Sequence, residues 1–402
     1  MYEKNILRSV LVRILEINFW PVIDSVGGAE RVFCNMANEL TERGHVVSAV
    51  CFENKTGMPF YPLAQGVNFY NLQNMGEKIR VPKWRKLARE FLRIFDKNSF
   101  GDPYSYYRYK KAAIRLLTVV EKEKPDVVVC YDINSFQLLS KMKMDNIRLV
   151  FMLHMDAEDF MRSMKNDQIF DLQSADCIQV LLPKYKEILK ERVQNNIVVI
   201  PNVVPQLMAE KIDDSEHENV IINIARLEKN KQQHLLIEAF AKIATKFPEW
   251  SLHLYGSNSN EKYVRKLETR IKKCNLGKQV KLMGITNNSI SVLKKAKIFV
   301  FPSLFEGFGL ALAEAMAVGL PCIGLRRCLA VSQLIKDNET GILTDSTVDG
   351  LAEALERLIR DETLCMRLGI SAKKSMEDYA PKKVWDKWEK LMSDLVTEKN
   401  NF

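Results

Sequence analysis

One segment of the sequence, Phe301 to Glu314, combines two carboxylates with a glycine-flanked aromatic loop. A Phe-Pro step ends an apolar run there, and Glu306 and Glu314 follow with seven residues between them. A loop that opens a helix gathers backbone N–H donors around an anion or a polar ligand. The spacing allows one carboxylate to reach a reacting group while the other binds a hydroxyl farther along the same ligand. Both could instead be solvated, but their place at the end of an apolar strand disfavours that reading.

A second segment carries cations directly after a predicted strand. Arg226 and Lys231 lie in Ala225 to Lys231, which follows the apolar run Val220 to Ala225. An arginine fork and a lysine point charge suit a diphosphate, whose negative charge must be stabilised if it departs as a leaving group. Viewed alone, the same residues would also fit surface salt bridges.

A third segment, Asp24 to Glu30, contains Gly27 and Gly28 before a predicted helix from Ala29 to Arg43. Paired glycines let a backbone approach a ligand closely, and the helix N-terminus offers N–H groups to an anion. An ordinary turn is the alternative for this pair of glycines. Together the three loops predict one nucleotide-sugar site.

The elements that must position these loops alternate along the chain. Short apolar runs bounded by turn residues are separated by amphipathic stretches, the pattern of βαβ units and parallel sheets. The predicted strands of the first half are Val10–Ile17, Val46–Phe52, Asp126–Tyr131 and Leu149–Leu153. Those of the second half are Val220–Ala225, Ser251–Tyr255, Val280–Met283, Ile298–Phe301 and Pro321–Gly324. The pattern predicts an α/β protein of two doubly wound halves, whose ligands bind beyond the carboxyl ends of the strands.

The junction between the halves is predicted near Ile200 to Gln206, where two prolines follow an IVVI run and a polar stretch comes next. We therefore expect an N-terminal domain over residues 1–204 and a C-terminal domain over 205–380. Residues 381–402 form a further segment, in which Trp385, Trp388 and Leu391 recur at helical spacing. That spacing predicts a helix docked on a core.

Composition excludes several classes of protein. The 402 residues are 47% apolar and 27% charged, close to an ordinary globular protein and unlike a disordered chain. No run reaches the roughly 18 apolar residues that span a bilayer, and the N-terminus lacks a secretory cleavage pattern. The eight cysteines are scattered without a C-x-x-C pair, so neither a zinc site nor a disulfide framework is expected. These features predict a cytoplasmic protein.

The order GGAERV, IPNVV, ARLEKNK and FPSLFEGFGLALAEAMAVGLP resembles the family-4 retaining glycosyltransferases of the GT-B fold, from about residue 10 to 390. The resemblance implies two Rossmann-like doubly wound α/β domains facing across a cleft, with the C-terminal helix crossing back to the N-terminal domain. It implies a donor-binding C-terminal domain and an acceptor-binding N-terminal domain. It also implies that no metal ion or other cofactor is required, since Arg226 and Lys231 would hold the diphosphate.

The resemblance also assigns roles to matched residues. Glu306 would contact the transferred sugar, Glu314 would hold the nucleotide ribose, and His154 would lie near the sugar and the acceptor. The implied catalytic residues are Glu306, Arg226, Lys231 and His154. The implied donor-binding residues are Gly27, Gly28, Gly284, Ile285, Phe308, Gly309, Leu310, Ala311 and Glu314. A lone histidine is ordinarily structural, but His154 follows the apolar run that ends at Leu153.

The chain departs from the family pattern at three places. Gly256 is followed by Ser257 and Asn258 where the family often has Gly-x-Gly, so donor preference could differ. Ser332 and Gln333 replace a common Pro-Glu, and IPN continues as Val-Val-Pro.

Net charge is +9, from 59 basic and 50 acidic residues, and much of the excess lies in Lys78 to Lys97, where eight basic residues meet two acidic ones for a local charge of +6. Apolar and basic residues take opposite faces of a predicted helix after Pro82, as in helices that lie on anionic lipid. A core-facing helix with a solvated basic side is the alternative. Nucleic acid is not expected as a partner, because no recognised motif accompanies the charge. The candidate membrane contacts are Trp84, Arg85, Lys86, Arg89 and Arg93.

The leading hypothesis is a retaining, metal-independent, hexosyltransferase-type enzyme that uses a nucleotide sugar, UDP-linked, and a lipid-linked or polysaccharide acceptor. The resemblance places it in bacterial cell-envelope or capsule biosynthesis, at the inner face of the membrane. One alternative is a catalytically silent GT-B protein that stabilises an active transferase, although a silent relative need not keep Glu306, Glu314, Arg226 and Lys231. A dinucleotide-dependent enzyme is disfavoured, because no G-x-G-x-x-G follows the first strand.

Overall fold

The computed structural model of the chain describes residues 10–76, 79–86, 103–142, 144, 146–206, 218–258 and 260–399. The chain divides into two compact units. The first unit comprises residues 1–154, 160–200 and 386–402, and the second comprises residues 155–159 and 201–385.

The first unit is built on a seven-stranded parallel sheet with the order β3-β2-β1-β4-β5-β6-β7. Its strands are β1 (Arg13–Asn18), β2 (Val46–Cys51), β3 (Asn68–Asn71), β4 (Val127–Cys130), β5 (Arg148–Leu153), β6 (Cys177–Val180) and β7 (Ile197–Val199). Its helices are α1 (Gly28–Glu42), α2 (Pro103–Glu123), α3 (Ile133–Ser140), α5 (Asn166–Leu172) and α6 (Pro183–Lys190), while α4 (Ala157–Ser163) begins at residues assigned to the second unit.

The inner strands of this sheet are largely buried, and most of their residues are apolar. Every residue of β4 and β6 is buried, as expected for strands in the middle of a parallel sheet. Helix α1 ends at Glu42, and Gly44 follows with a φ of 94°, a left-handed conformation that glycine adopts at low cost.

The second unit is built on a six-stranded parallel sheet with the order β10-β9-β8-β11-β12-β13. Its strands are β8 (Val220–Ile224), β9 (Ser251–Tyr255), β10 (Val280–Gly284), β11 (Ile298–Phe301), β12 (Cys322–Leu325) and β13 (Ile342–Thr344). Its helices are α7 (Gln233–Ile243), α8 (Glu261–Lys273), α9 (Ser289–Leu293), α10 (Leu310–Val318), α11 (Leu329–Leu334), α12 (Val348–Arg360) and α13 (Glu362–Ser375). The last helix of the described chain is α14 (Pro381–Lys399), and its residues from Asp386 onward belong to the first unit.

The core of the second unit lies between this sheet and its helices. Helix α7 contributes Leu236 and Phe240, and α12 contributes Leu351 and Leu355, all fully buried. Their spacing of four residues on each helix is that of a helix with one apolar face. The two helices pack against each other, and α12 also contacts β12 and β13.

Both sheets have the doubly wound order in which the chain reverses direction beside the first strand. The reversal falls between β1 and β4 in the first unit and between β8 and β11 in the second. Ligands of open α/β sheets bind beyond the carboxyl ends of strands at such points. The expectation of two doubly wound α/β halves is confirmed. Within the described residues, no helix has an apolar stretch long enough to cross a bilayer.

Candidate functional site

The predicted site residues of the second unit lie beyond the carboxyl ends of its strands. Lys231 ends a short 3-10 helix, Lys229–Lys231, after β8, and Glu306 lies in the loop after β11. Their side chains form an ion pair with 2.7 Å between Lys231 Nζ and Glu306 Oε1. The two side chains are only 10% and 13% exposed. The structure thus joins the predicted diphosphate cation to the predicted sugar-binding carboxylate.

Arg226 occupies the same loop as Lys231 but is more open to solvent. Its guanidinium lies 3.3 Å from Glu228 Oε1, and 58% of its side chain is exposed. Its carbonyl oxygen accepts a hydrogen bond from Gln233 Nε2 at 3.0 Å. Gln233 is fully buried, so the backbone at Arg226 is fixed while the cationic end of the side chain remains accessible.

The loops after β8 and β9 approach each other at Gly256. A Cβ atom there would fall well inside the contact distance of the Ala225 carbonyl oxygen. Ala225 N–H donates to Tyr255 O at 3.0 Å, and Gly256 N–H donates to Gly284 O at 2.8 Å. Only a residue without a side chain fits this contact, so Gly256 sets the position of the loop that carries Arg226.

The loop after β11 leads into α10 through a left-handed residue. Gly309, at the N-cap, has a φ of 89° and a ψ of 54°. Leu310 and Ala311 open the helix, in the turn whose N–H groups have no acceptor within the helix. Phe308 is buried, and its ring packs against that of Tyr379 with centroids 5.5 Å apart. This contact holds the loop in place. The backbone is therefore arranged to donate hydrogen bonds at this helix start.

Glu314 lies farther along α10 and is only 3% exposed, so it is not a solvated surface carboxylate. Its Oε2 accepts a hydrogen bond from the Ser289 hydroxyl at 2.8 Å. Glu306 and Glu314 thus have different neighbours, Lys231 for one and Ser289 for the other. Ser289 begins α9, and nothing in the sequence signalled its pairing with a residue 25 positions away.

Gly284, an implied donor-binding residue, ends strand β10, and Ile285, another, directly follows it. Gly284 has a φ of 74°, and the pairing of β9 with β10 is irregular between Leu282 and Gly284. Ile285 is 52% exposed, unusual for a side chain of its size and polarity. The backbone bends there and presents an apolar side chain to solvent.

An open pocket of about 780 Å³ lies beside the loop after β8. It is lined by Glu228, Lys229, Asn230, Asn260 and Glu261. None of the predicted site residues lines it, although Arg226 and Lys231 belong to the same loop. The ion pair and the start of α10, rather than the lining of this pocket, match the chemistry of a phosphorylated ligand.

In the first unit, Gly27 is the N-cap of α1 and Gly28 is its first residue. The three atoms nearest to a Cβ atom at Gly27 would all belong to the flexible Glu30 side chain, which could move aside. The Ser25 hydroxyl donates to Glu30 Oε1 at 2.9 Å. The packing of the chain itself therefore does not require glycine at this position.

The loop before Gly27 is held by Glu53, which follows β2. Its Oε1 accepts hydrogen bonds from the N–H groups of Val22 at 2.8 Å and Ile23 at 2.9 Å. Glu53 is only 7% exposed, so these two hydrogen bonds are shielded from water and hold the loop in place. Sequence analysis did not identify Glu53.

His154 directly follows β5, and its ring stacks on that of Tyr131, which follows β4. The ring centroids are 5.3 Å apart with an interplanar angle of 9°. Burial lowers the pKa of His154 from 6.5 to about 4, so the imidazole is neutral at pH 7. Its Nε2 is buried and has no hydrogen-bond partner among the described residues. Sequence analysis did not identify Tyr131 as a neighbour of this histidine.

The candidate membrane segment is described only in part. Residues 83–86 are helical, and Trp84 is 59% exposed. The Arg85 guanidinium lies 4.5 Å from the ring centroid of Trp84 and 5.1 Å from that of Tyr107. Lys86 is exposed, while Arg89 and Arg93 lie outside the described residues.

In the described part of the chain, no group of three or more His, Cys, Asp or Glu side chains is arranged to hold a metal ion. The eight cysteines are all unpaired.

Two family models match the chain, one for each half. The model described as Glycosyltransferase Family 4 matches residues 26–205, and the model described as Glycosyl transferases group 1 matches residues 204–375. Together they extend from before Gly27 to the end of α13. The matched ranges contain every predicted catalytic and donor-binding residue.

Similar proteins were found over much or all of the chain. An uncharacterized glycosyltransferase of Haemophilus influenzae is 24% identical over 379 residues, which cover 92% of this chain and 97% of that protein. A poly(ribitol-phosphate) alpha-N-acetylglucosaminyltransferase of Staphylococcus aureus is 24% identical over 68% of this chain and 57% of its own length. The crystal structure of a mutant of S. aureus TarM, in complex with Fondaparinux, alpha-GlcNAc-glycerol and UDP, aligns with a TM-score of 0.74 and 17% identity. It covers 95% of this chain and 100% of that one.

Proposed function

This chain belongs to the family-4 glycosyltransferases of the GT-B fold, and from that premise we propose which sugar donor and acceptor it uses. It is a hexosyltransferase-type enzyme. In our proposal it moves a sugar from a UDP-linked donor to a glycan or lipid-linked acceptor, with retention of anomeric configuration and without a metal ion. The product belongs to a bacterial cell-envelope polysaccharide, such as a capsule.

The observation that carries the proposal is the ion pair between Lys231 and Glu306, 2.7 Å apart beyond the carboxyl ends of β8 and β11. Sugar transfer develops negative charge on the departing diphosphate and positive charge at the anomeric carbon. A lysine stabilises the first charge and a carboxylate beside it the second. Lys231 has three donor hydrogens, so it can bind a phosphate oxygen while still contacting Glu306.

The remaining residues of the second unit are proposed to hold the rest of the donor. Arg226 is accessible for a second phosphate contact, and the N–H groups that open α10 at Leu310 and Ala311 suit a phosphate or a sugar hydroxyl. Glu314 is proposed to accept from the ribose hydroxyls in competition with Ser289. The bend at Gly284 and Ile285 is proposed to receive the base.

Two comparisons support the choice of donor and acceptor. The S. aureus TarM structure contains UDP, and the S. aureus relative is named for adding N-acetylglucosamine to poly(ribitol phosphate). Both observations concern those proteins, and on that ground we propose a UDP-sugar and an envelope glycan for this one. In the first unit, glycine at position 27 is not explained by the packing of the chain, which suits a close approach of the donor diphosphate there.

We further propose that the enzyme acts as a cytoplasmic protein at the inner face of the cell membrane. The support is an exposed Trp84 beside Arg85 and the exposed Lys86, in a segment rich in basic residues. Aromatic and basic side chains together suit an anionic lipid surface. The same contacts would serve a lipid-linked acceptor, and nucleic acid is not proposed as a partner.

The first experiment is a calorimetric titration of the purified protein with UDP, GDP, ADP and their sugar conjugates, with and without a chelator. We expect UDP to bind, with an affinity that the chelator does not change. Preference for another nucleotide would overturn the donor assignment, and loss of binding with chelator would overturn metal independence. If no nucleotide binds, a catalytically silent partner of an active transferase becomes the better account.

The second experiment tests the site. Glu306→Ala should lower turnover by about 100-fold or more while leaving the dissociation constant of UDP within about threefold. Glu268→Ala, at an exposed position on α8, is the matched control and should retain normal turnover. If Glu306→Ala transferred sugar at the normal rate, the site assignment would be wrong. The NMR coupling constant of the anomeric proton in the product gives its configuration, and comparison with the donor shows whether the configuration is retained or inverted.

A further inference from the structure

Three side chains from neighbouring strands of the first unit form a connected column that the proposed transfer reaction does not yet use. Glu16 lies within β1, Tyr131 follows β4 and His154 follows β5. These strands are adjacent in the sheet order β1-β4-β5. The column therefore runs along the carboxyl edge of the sheet, beginning at the point where the strand order reverses.

The first link of the column is a hydrogen bond in the core. The Tyr131 hydroxyl donates to Glu16 Oε2 at 2.9 Å and lies 3.2 Å from Met36 Sδ. Glu16 is 0% exposed, and its Oε1 has no hydrogen-bond partner among the described residues. Burial raises the pKa of Glu16 well above its ordinary value.

Burying a carboxyl group with only one hydrogen-bonded oxygen costs free energy of desolvation. An apolar side chain of the same size could pack there without that cost. The bond to Tyr131 sets where the phenol ring points. Phe33 contacts the same ring edge-on, with centroids 5.2 Å apart and an angle of 86°. The ring of Tyr131 is thus fixed by a hydrogen bond at its tip and by an aromatic contact at its side.

The second link is the stack of Tyr131 on His154. The two ring planes are within 9° of parallel, and this stacking restricts rotation of the imidazole about its side-chain bonds. A functional histidine is commonly oriented by a hydrogen bond to one of its ring nitrogens. Here Nε2 is buried without such a partner in the described residues, so the aromatic face is the contact that orients the ring.

We infer that Tyr131, anchored by Glu16, is a positioning residue for His154. The inference rests on the proposed function, in which His154 lies near the sugar and the acceptor. Tyr131 itself touches no substrate in this account. It holds the imidazole at one angle, so that the ring need not be ordered at each turnover.

Two substitutions at Tyr131 separate the two links. Tyr131→Phe keeps the stacked ring and removes the bond to Glu16, whereas Tyr131→Leu removes the stack as well. We expect Tyr131→Leu to lower kcat by about tenfold or more, with the KM for the donor and the affinity for UDP within about twofold. Tyr131→Phe should lose about threefold or less, because the stacked ring is retained.

A matched control separates positioning from packing. Phe136→Leu removes another fully buried aromatic ring of the same unit, one that contacts Phe151 with centroids 5.6 Å apart. At a temperature well below unfolding, it should change kcat by less than about twofold. Equal losses of kcat in Phe136→Leu and Tyr131→Leu would show a general effect of core damage and overturn the inference.

A double substitution tests whether Tyr131 acts through His154. In a His154→Ala background, Tyr131→Leu should cause no further loss of kcat beyond about twofold, because its target is gone. Independent, multiplicative losses would overturn the inference, as would normal kcat in Tyr131→Leu when His154→Ala is impaired. Full activity of His154→Ala would instead refute the proposed role of His154.

An NMR measurement tests the positioning without relying on activity. The imidazole resonance of His154, identified by its absence in His154→Ala, should remain in place in Tyr131→Phe. It should shift and broaden in Tyr131→Leu, because the ring loses both its stacking partner and its fixed angle. An unchanged resonance in Tyr131→Leu would overturn the inference whatever the activity of the variants.

Discussion

At the scale of single residues, the ion pair of Lys231 and Glu306 determines how the site is maintained before a donor arrives. Each side chain is about a tenth exposed, so each charge relies on the other for much of its stabilisation. If one partner were removed, the other would be a largely buried charge without its counter-ion, and the loop that carries it would tend to rearrange. The pair thus keeps both groups in place while the site is empty of donor.

Removing both partners should therefore cost less than the sum of the two single removals. Lys231→Ala and Glu306→Ala should each lower the free energy of unfolding by about 1–3 kcal/mol, and the double variant by less than the sum. Denaturant unfolding of the four proteins measures the coupling. The exposed pair of Arg265 and Glu261, 76% and 78% exposed, is the control and should couple by less than about 0.5 kcal/mol. Strictly additive losses for Lys231 and Glu306 would mean that the pair contributes nothing.

The lowered pKa of His154 predicts a pH dependence of stability. In the unfolded chain the imidazole titrates near 6.5, and in the folded chain near 4. Between these values the unfolded chain binds more protons, so protonation favours unfolding and stability falls as the pH is lowered from 6.5 toward 4. His154→Asn should reduce this slope, by at most about 1.4 kcal/mol per pH unit. Unfolding of both proteins across this pH range is the measurement, and parallel curves would contradict the prediction.

At the scale of elements, the contact of Gly256 with Ala225 joins the turns after β9 and β8. Backbone touches backbone there, so no side-chain adjustment can make room for a larger residue. The departure from the family's Gly-x-Gly pattern falls at Asn258, two residues after this contact. The glycine that the packing requires is kept, and the positions that follow it vary.

Gly256→Ala should therefore disturb the loop of Arg226. We expect a loss of about 2 kcal/mol or more in the free energy of unfolding and a weaker affinity for UDP. Gly277→Ala is the matched control, because a Cβ atom there has nothing within 4 Å. It should change stability by less than about 0.5 kcal/mol. Similar effects of the two substitutions would show that the close contact is unimportant.

The predicted strands include most of the central strands and the edge strand β10, but they omit the inner strand β6 and the edge strands β3, β7 and β13. β9 and β11 have the predicted bounds, and the other predicted strands differ by one to three residues at one or both ends. The unpredicted strand β3 lies at a sheet edge and is partly exposed, so its residues lack the continuous apolar run of a buried parallel strand. The unpredicted β13 has only three residues and is also an edge strand.

The residues of the candidate site were singled out from the sequence, but their contacts were not predicted. Strand ends indicated that Lys231 and Glu306 belong to neighbouring loops, because β8 and β11 are adjacent in such a fold. Their direct ion pair, the bond from Ser289 to Glu314 and the stack of Tyr131 on His154 depend on side-chain angles. No local pattern in the sequence encodes those angles.

At the scale of the whole molecule, the net charge of +9 is unevenly spread, and the basic segment around Trp84 carries much of it. A basic surface binds anionic lipid more strongly than neutral lipid, and salt weakens the attraction. The proposed location at the membrane therefore predicts binding that depends on lipid charge and on ionic strength.

Replacing Arg85 and Lys86 together with serine tests this. We expect binding to vesicles of anionic lipid to weaken by about tenfold or more, since each basic residue near such a surface contributes about 1 kcal/mol. Binding to neutral vesicles should be weak for all variants. Lys272→Ser combined with Lys273→Ser, exposed on α8, removes the same charge elsewhere and is the control. If both double variants weakened binding to anionic vesicles equally, the effect would come from net charge alone and would contradict a specific role for the segment around Trp84.

Helix α14 gives the molecule an unusual order of assembly. Residues 386–402 belong to the first unit, yet residues 201–385 of the second unit precede them in the chain. Arg43 binds Asp386 at 2.9 Å and Glu389 at 2.5 Å, and Arg148 Nε donates to Leu395 O at 3.3 Å. On the ribosome, these partners emerge only after the intervening unit has been synthesised. The unit that begins first is therefore completed last, and until then the nascent chain presents Arg43 and Arg148 without their partners in α14.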